Sequence, residues 1–228
     1  MKFHRYAIYF TPDPGPLADF GAAWLGWDCE AGRSVPHPDI DGLPATIETL
    51  TDAPRKYGLH GTIKPPFRLA DEQTPEQLAA ALRKFCDRQT PIRLDGLKLN
   101  NEGRFVALMA DGDTAALHGL AARTVIEFDA FRAPSNAAEL SRRRAAGLTP
   151  AQERNLAEWG YPYLCDEFRF HITLTGPLDD ETFAAARNAL APHVTPLLPR
   201  PCHISHLTLA GQAADGMFRT IARYALRG

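Results

Sequence analysis

No apolar run in the 228-residue chain approaches the roughly 20 residues that a membrane-crossing helix needs. The N-terminal Met1–Arg5 stretch lacks the apolar core of a signal peptide, so the expectation is a cytoplasmic protein with no membrane partner. Cysteines are few. Cys29, Cys86, Cys165 and Cys202 are widely scattered with no C-x-x-C pair, which argues against a zinc site or a disulfide framework and for free core thiols in a reducing compartment. There is no phosphate-cradling P-loop, no Gly-rich dinucleotide turn, no G-x-S-x-G elbow and no His-x-x-x-His pair. His203 and His206 are three apart on an expected strand and so point to opposite faces, which disfavours a shared metal. No metal or organic cofactor is expected. Excess charge is also missing: 25 basic against 27 acidic residues leave a net charge of −2. A protein holding long nucleic acid through its phosphates is usually more basic, so any anion site is local and no stable nucleic-acid complex is expected.

What the sequence does contain is a pair of matching stretches. Leu59-His60-Gly61-Thr62-Ile63 and Phe170-His171-Ile172-Thr173-Leu174 each read apolar, His, any residue, Thr, apolar. Side chains alternate along a strand, so each stretch puts its His and Thr on one face and its apolar residues on the other. About 0.2 chance matches are expected in a chain of ordinary composition. The chain has two.

Around these stretches the pattern is mixed α and β. Phe3 to Phe10 reads as a strand, Leu17 to about Trp27 as a helix, and Asp28 to Pro54 as a long loop with a short helix near Pro44 to Leu50. The motif strands are expected at about 57–69 and 167–175, with Pro65-Pro66 ending the first or lying at an edge. Thr74-Pro75-Glu76-Gln77 and Thr149-Pro150-Ala151-Gln152 each spell a capped helix start. Further helices follow Asp113, Ser135 and Asp180, and the C-terminal strands are expected over His203–Leu209 and Met217–Tyr224. Ile92–Leu99 and Arg104–Ala110 form a hairpin turned at Asn100–Gly103. Motif strand, capped helix and hairpin then recur after His171, a diverged internal duplication. The expected fold is α+β: one bilobal domain over residues 1–228, with two pseudo-symmetric lobes. Each lobe is an antiparallel sheet with helices on its outer face, and the two face each other across a central cleft.

Two His-x-Thr strands resemble the signature of the 2H phosphoesterase superfamily. The resemblance is closest to the group of phosphonate-metabolism proteins associated with bacterial phosphonate-degradation operons. It is carried by Arg5–Phe10, Tyr57–Phe67, Phe131–Pro134 with Leu140–Arg144, and Trp159–Tyr163 leading into Asp166–His171. Gly61 stands where Ala is expected in that group. The resemblance implies a two-lobed fold and a metal-independent hydrolase of a small cyclic phosphate ester, such as a ribosyl cyclic phosphate.

The residues suit that chemistry. Two imidazoles on one phosphate allow one to take a proton from water while the other gives one to the leaving oxygen. His60 and His171 are the candidates, in either order. Thr62 and Thr173 are candidate donors to the non-bridging oxygens. Alternation places Lys64 with His60 and Arg169 with His171 as cations for an anionic substrate. Tyr57 and Tyr6 either stack on the substrate or fill the core. Arg142-Arg143-Arg144 with Arg132 is either a solvated basic face or a clamp for a second, terminal phosphate. The rival readings are action on RNA or nucleotide 2′,3′-cyclic phosphates, and a binding module without catalysis.

Overall fold

The computed structural model describes residues 2–145 and 147–228, with the backbone alone at Cys165. The elements run β1 Arg5–Phe10, α1 Pro16–Leu25, β2 Trp27–Asp28, β3 Arg33–Ser34, α2 Ile47–Arg55, β4 Gly61–Phe67, α3 Pro75–Cys86, β5 Ile92–Leu94, β6 Gly96–Glu102 and β7 Phe105–Asp111. They continue α4 Ala115–Glu127, α5 Ala137–Arg144, α6 Pro150–Trp159, β8 His171–Thr173, α7 Asp180–Val194, β9 Cys202–Ile204, β10 His206–Gln212 and β11 Phe218–Ala225. Both expected capping boxes form: Thr74 with Gln77 opens α3, and Thr149 with Gln152 opens α6. The expected first hairpin is reset. Asp95 splits its leading strand into β5 and β6, and Asn100 and Asn101 pair with Ala107 and Val106, so the reversal tightens onto Gly103-Arg104.

Seven strands make one sheet in the order β11-β10-β1-β4-β8-β7-β6. The expectation of two separate sheets facing across a cleft gives way to a sheet of two parts joined at a seam. The seam is a single residue pair, Gly61 opposite Ile172, which makes the two motif strands immediate neighbours. Only His171–Thr173 of the expected 167–175 strand is ladder, paired with Met109, Leu108 and Ala107 of β7, and Cys165–Glu167 forms a 3-10 turn instead. The two expected repeats interleave in the sheet. The β6–β7 hairpin that follows β4 in sequence pairs with β8, whereas the β10–β11 hairpin that follows β8 serves the β1–β4 side. The short β5 and β9, one from each repeat, pair with each other.

Alternation along β1 separates the two faces. Tyr6, Ile8 and Phe10 enter the main core with Trp24 of α1, Leu78, Leu82 and Phe85 of α3, Leu117, Leu120 and Phe128 next to α4, and Leu190 of α7. Ala7 and Tyr9 point the other way, into a small cluster with Ala210 and Phe218. The large helices thus cover one face and leave the other open.

At the seam, Gly61 and Ile172 turn to the helix-covered face. A Cβ on Gly61 would land on the ring of Phe170, itself a core residue. The glycine is therefore a packing requirement, because it lets Phe170 lie against the backbone of β4.

A bulge decides the fate of Lys64. Thr62 pairs with Tyr9, but the next partner along β1, Ile8, faces Lys64, leaving Ile63 as an extra residue. Lys64 is thereby turned off the His60–Thr62 face. It is 2% exposed, its Nζ donates to the Val125 carbonyl of α4 at 3.2 Å, and it lies over the Phe67 ring. The assignment of Lys64 to the substrate side is corrected accordingly: it is a buried amine whose pKa burial pushes down to about 8.

Two outcomes follow from this packing. Gly61→Ala should destabilise the protein by about 1–3 kcal/mol through overpacking against Phe170; a urea midpoint equal to wild type would show that the ring yields freely. For Lys64, the folded state binds its proton more weakly than the unfolded chain does. The difference in stability between wild type and Lys64→Met should therefore shift in favour of wild type as pH rises from about 8 towards 10.5. Parallel denaturation curves for the two proteins across that range would show that the amine is not desolvated.

Candidate functional site

The seam sets the site. With Gly61 opposite Ile172 in an antiparallel pair, His60 falls opposite Thr173 and Thr62 opposite His171. All four side chains leave the sheet on the face opposite Gly61 and Ile172, so each motif histidine sits across from the other motif's threonine. The β4–β8 ladder goes no further in either direction. Pro65 and Pro66 lie within β4, which stays paired with β1 as far as Phe67, and Thr175 accepts the Val106 N–H on its hydroxyl at 3.0 Å as the chain leaves β8. Beside the seam lies a cavity of about 300 Å³, lined by His60, Thr62, Thr173, Thr175, Pro65, Pro66, Tyr9, Tyr57, Tyr161, Phe105, Ala53, Pro54, Arg5 and Arg143. His171 flanks it, half-buried, beside Thr173.

Both histidines are held in the same way. Nδ1 of His60 lies 2.9 Å from the Gly58 carbonyl, and Nδ1 of His171 lies 2.8 Å from the Arg169 carbonyl, in each case two residues back. A carbonyl only accepts, so Nδ1 carries the proton in both rings and Nε2 is left free for chemistry. Gly58 has φ 67°, and a side chain there would strike the Cys29 sulfur. Glycine thus shapes the turn that presents its carbonyl to His60. Cys29 donates to the Tyr57 carbonyl at 3.2 Å, and burial pushes its thiol up to about 12, so it acts as a strut rather than a nucleophile.

Burial lowers the His60 pKa to about 4, opposed by the bond to Gly58 and reinforced by the nearby charge of His171. At neutral pH His60 is an uncharged imidazole whose Nε2 faces the Thr62 hydroxyl at 3.2 Å. Its ring lies against Tyr9, with centroids 3.9 Å apart, and Tyr57 is 5.8 Å away. Tyr9 is opposite Thr62 on the neighbouring strand and 1% exposed, and its hydroxyl has no hydrogen-bond partner among the described residues. Leaving such a group unpaired costs about 1–3 kcal/mol.

No carboxylate lines the cavity, whereas two guanidiniums do. Arg5 donates to Gln212 at 2.7 Å and lies over Phe218, and Arg143 lies 4.8 Å from the centre of the Tyr161 ring. Neither makes an ion pair among the described residues. Burial lowers the Arg143 pKa, and Arg5 is among the like charges that add to this. The wall is therefore electropositive and suited to an anion.

Of the residues expected from sequence, His60, Thr62, Thr173, Tyr57 and Arg143 line the cavity, and His171 flanks it. Arg169 contributes its backbone oxygen to His171, and its exposed side chain lines no described pocket. Tyr6 belongs to the core, by alternation with Ile8 and Phe10. Arg132 pairs with Asp129 at 2.8 Å and donates to the Glu158 carbonyl, and with Lys64 and Arg143 it borders a smaller neighbouring pocket. Within the arginine run, Arg144 pairs with Glu153, Arg142 is exposed and only Arg143 turns inward. Arg5, Tyr9, Thr175 and Tyr161 were missed. Alternation already placed Arg5 and Tyr9 opposite Tyr6, and Thr175 two positions beyond Thr173, whereas nothing local marks Tyr161.

Among known proteins, a family model described as "Protein of unknown function (DUF1045)" matches residues 62–219. A ribose 1,5-bisphosphate phosphokinase PhnN of Janthinobacterium sp. (strain Marseille) is 38% identical over 218 residues, 93% of this chain and 48% of that protein. The protein of the same name from Laribacter hongkongensis (strain HLHK9) is 30% identical over 86% of this chain and 46% of its own length. The chain thus spans about half the length of the curated relatives it matches. Two solved structures align over the full length of both chains: a phosphoesterase at 17% identity and TM-score 0.46, and E. coli LigT complexed with 3′-AMP at 16% and 0.43. With well over half of its length matched by the family model, this chain belongs to the DUF1045 family.

Proposed function

We propose that this chain is a metal-independent cyclic phosphodiesterase of the 2H type, opening a small cyclic phosphate ester to a monoester. The observation that carries this reading is the crossed quartet of His60, Thr62, His171 and Thr173 at the seam, with both Nδ1 atoms tied to backbone carbonyls. His60 is uncharged at neutral pH and has a free Nε2. It is the base that takes a proton from the attacking water. His171, on the more open side, carries the proton that its Nε2 delivers to the leaving oxygen. The Thr62 and Thr173 hydroxyls donate to the non-bridging oxygens as charge builds on them. Arg5 and Arg143, neither of them ion-paired among the described residues, hold the anionic substrate, and a second, terminal phosphate would suit them.

The names of the curated relatives favour a ribosyl substrate. Opening a ribosyl cyclic phosphate that carries a 5-phosphate yields a ribose bisphosphate, the kind of compound a ribose 1,5-bisphosphate phosphokinase acts on. Phosphokinase chemistry is not proposed for these residues, since the sequence has no P-loop. Tyr57 on the wall would also accept a nucleobase, so nucleoside 2′,3′-cyclic phosphates are the comparison substrates.

Purified, chelator-treated protein should turn over a cyclic phosphate from a panel of ribosyl and nucleoside compounds, and His60→Ala or His171→Ala should lower kcat by about 10²–10⁴-fold. Activity that needs an added divalent ion, or near-wild-type turnover in either variant, would overturn the two-histidine mechanism. The pH profile is a separate test. A base works unprotonated, so kcat/KM should fall on the acid side only as pH drops towards about 4. An acid limb centred at 6.5 or above would rule out His60 as a buried base.

A further inference from the structure

Tyr9 has no part in the scheme above, yet its position is hard to account for by packing alone. It lies at 1% exposure on the cavity wall, directly across the strand pair from Thr62, with its ring against His60. Packing explains the ring, but a phenylalanine would pack there equally well. Its hydroxyl is buried without a partner among the described residues, and the cavity that Tyr9 lines also carries the hydroxyls of Thr62, Thr173, Thr175, Tyr57 and Tyr161, the His60 imidazole and two cations. Burial holds its pKa well above the ordinary tyrosine value, so it remains a neutral O–H at any working pH. Such a group can donate a proton to an acceptor without accepting a charge itself.

We propose that the Tyr9 hydroxyl donates a hydrogen bond to a non-bridging oxygen of a phosphate group bound beside His60 and Thr62, as a third hydroxyl donor alongside the two motif threonines. This rests on reading the cavity as a phosphate-ester site. The donor is fixed in place before the ligand arrives, because β1 and the close contact with His60 hold the ring. An oxygen placed there satisfies a group that the free protein leaves unpaired. Tyr9 therefore favours the liganded state at the expense of the empty one.

That opposition separates the proposal from a structural role. Tyr9→Phe keeps the ring and its contact with His60 and removes only the hydroxyl. Its thermal midpoint without ligand should equal or exceed that of wild type, whereas its affinity for inorganic phosphate, measured by calorimetry, should fall about 10- to 100-fold. Turnover of whichever cyclic phosphate the wild type accepts should fall by at least as much, with the acid limb of the pH profile unmoved because His60 keeps its surroundings. A variant that binds phosphate as tightly as wild type overturns the proposal. So does one whose midpoint drops along with its affinity, and so does a wild type that binds no phosphate. If no cyclic phosphodiester is turned over at all, the enzymatic reading falls, while the phosphate titration still decides the role of Tyr9.

Discussion

One backbone pairing, Gly61 with Ile172, holds the two parts of the sheet together. It sets the motif strands antiparallel and side by side, and that arrangement crosses each histidine with the other strand's threonine. Closeness at this point depends on a residue without a side chain, since Phe170 occupies the space a Cβ would need. The extent of the pairing matters as much. The ladder stops at that single residue pair, and His60, Thr62 and Thr173 beside it line the cavity.

The chemistry of the site follows from what surrounds the cavity. Carbonyl groups two residues upstream fix the tautomer of both imidazoles without any acidic residue. A carboxylate in that role would raise the proton affinity of His60, whereas burial among Tyr9, Tyr57 and the sheet lowers it. With no carboxylate on the wall, Arg5 and Arg143 face the cavity uncompensated. The pocket is thus preset for a negatively charged guest and holds one imidazole in its neutral form.

Much of this was legible in the sequence where a local rule was enough. Two-residue periodicity placed His60 with Thr62 and His171 with Thr173, and cap chemistry located the starts of α3 and α6. The failures share a cause, namely register set by a partner strand. Alternation carried past Thr62 put Lys64 on the open face, but the bulge against Ile8 and Tyr9 is a property of β1 and β4 together. Tyr6 was preferred to Tyr9 because face assignment on β1 had no motif to anchor it, although its apolar neighbours Ile8 and Phe10 carried the information. The joining of the sheet at one residue pair has no sequence signal at all.

The interleaving of the two repeats bears on how the chain reaches this state. Strand β1 is held on one side by β10, with Arg5 opposite Gln212, and β8 rests on a hairpin drawn from the earlier repeat. Neither repeat has its own motif strand backed by its own hairpin. A chain emerging from the ribosome can close β6 onto β7 by local contacts alone, but the strand that carries Tyr9 waits for nearly the whole sequence before it gains its second neighbour. Pairing of β1 with β10 joins distant parts of the sequence, and a nascent chain stalled before β10 would hold every cavity-lining residue and still lack that support for the strand of Tyr9.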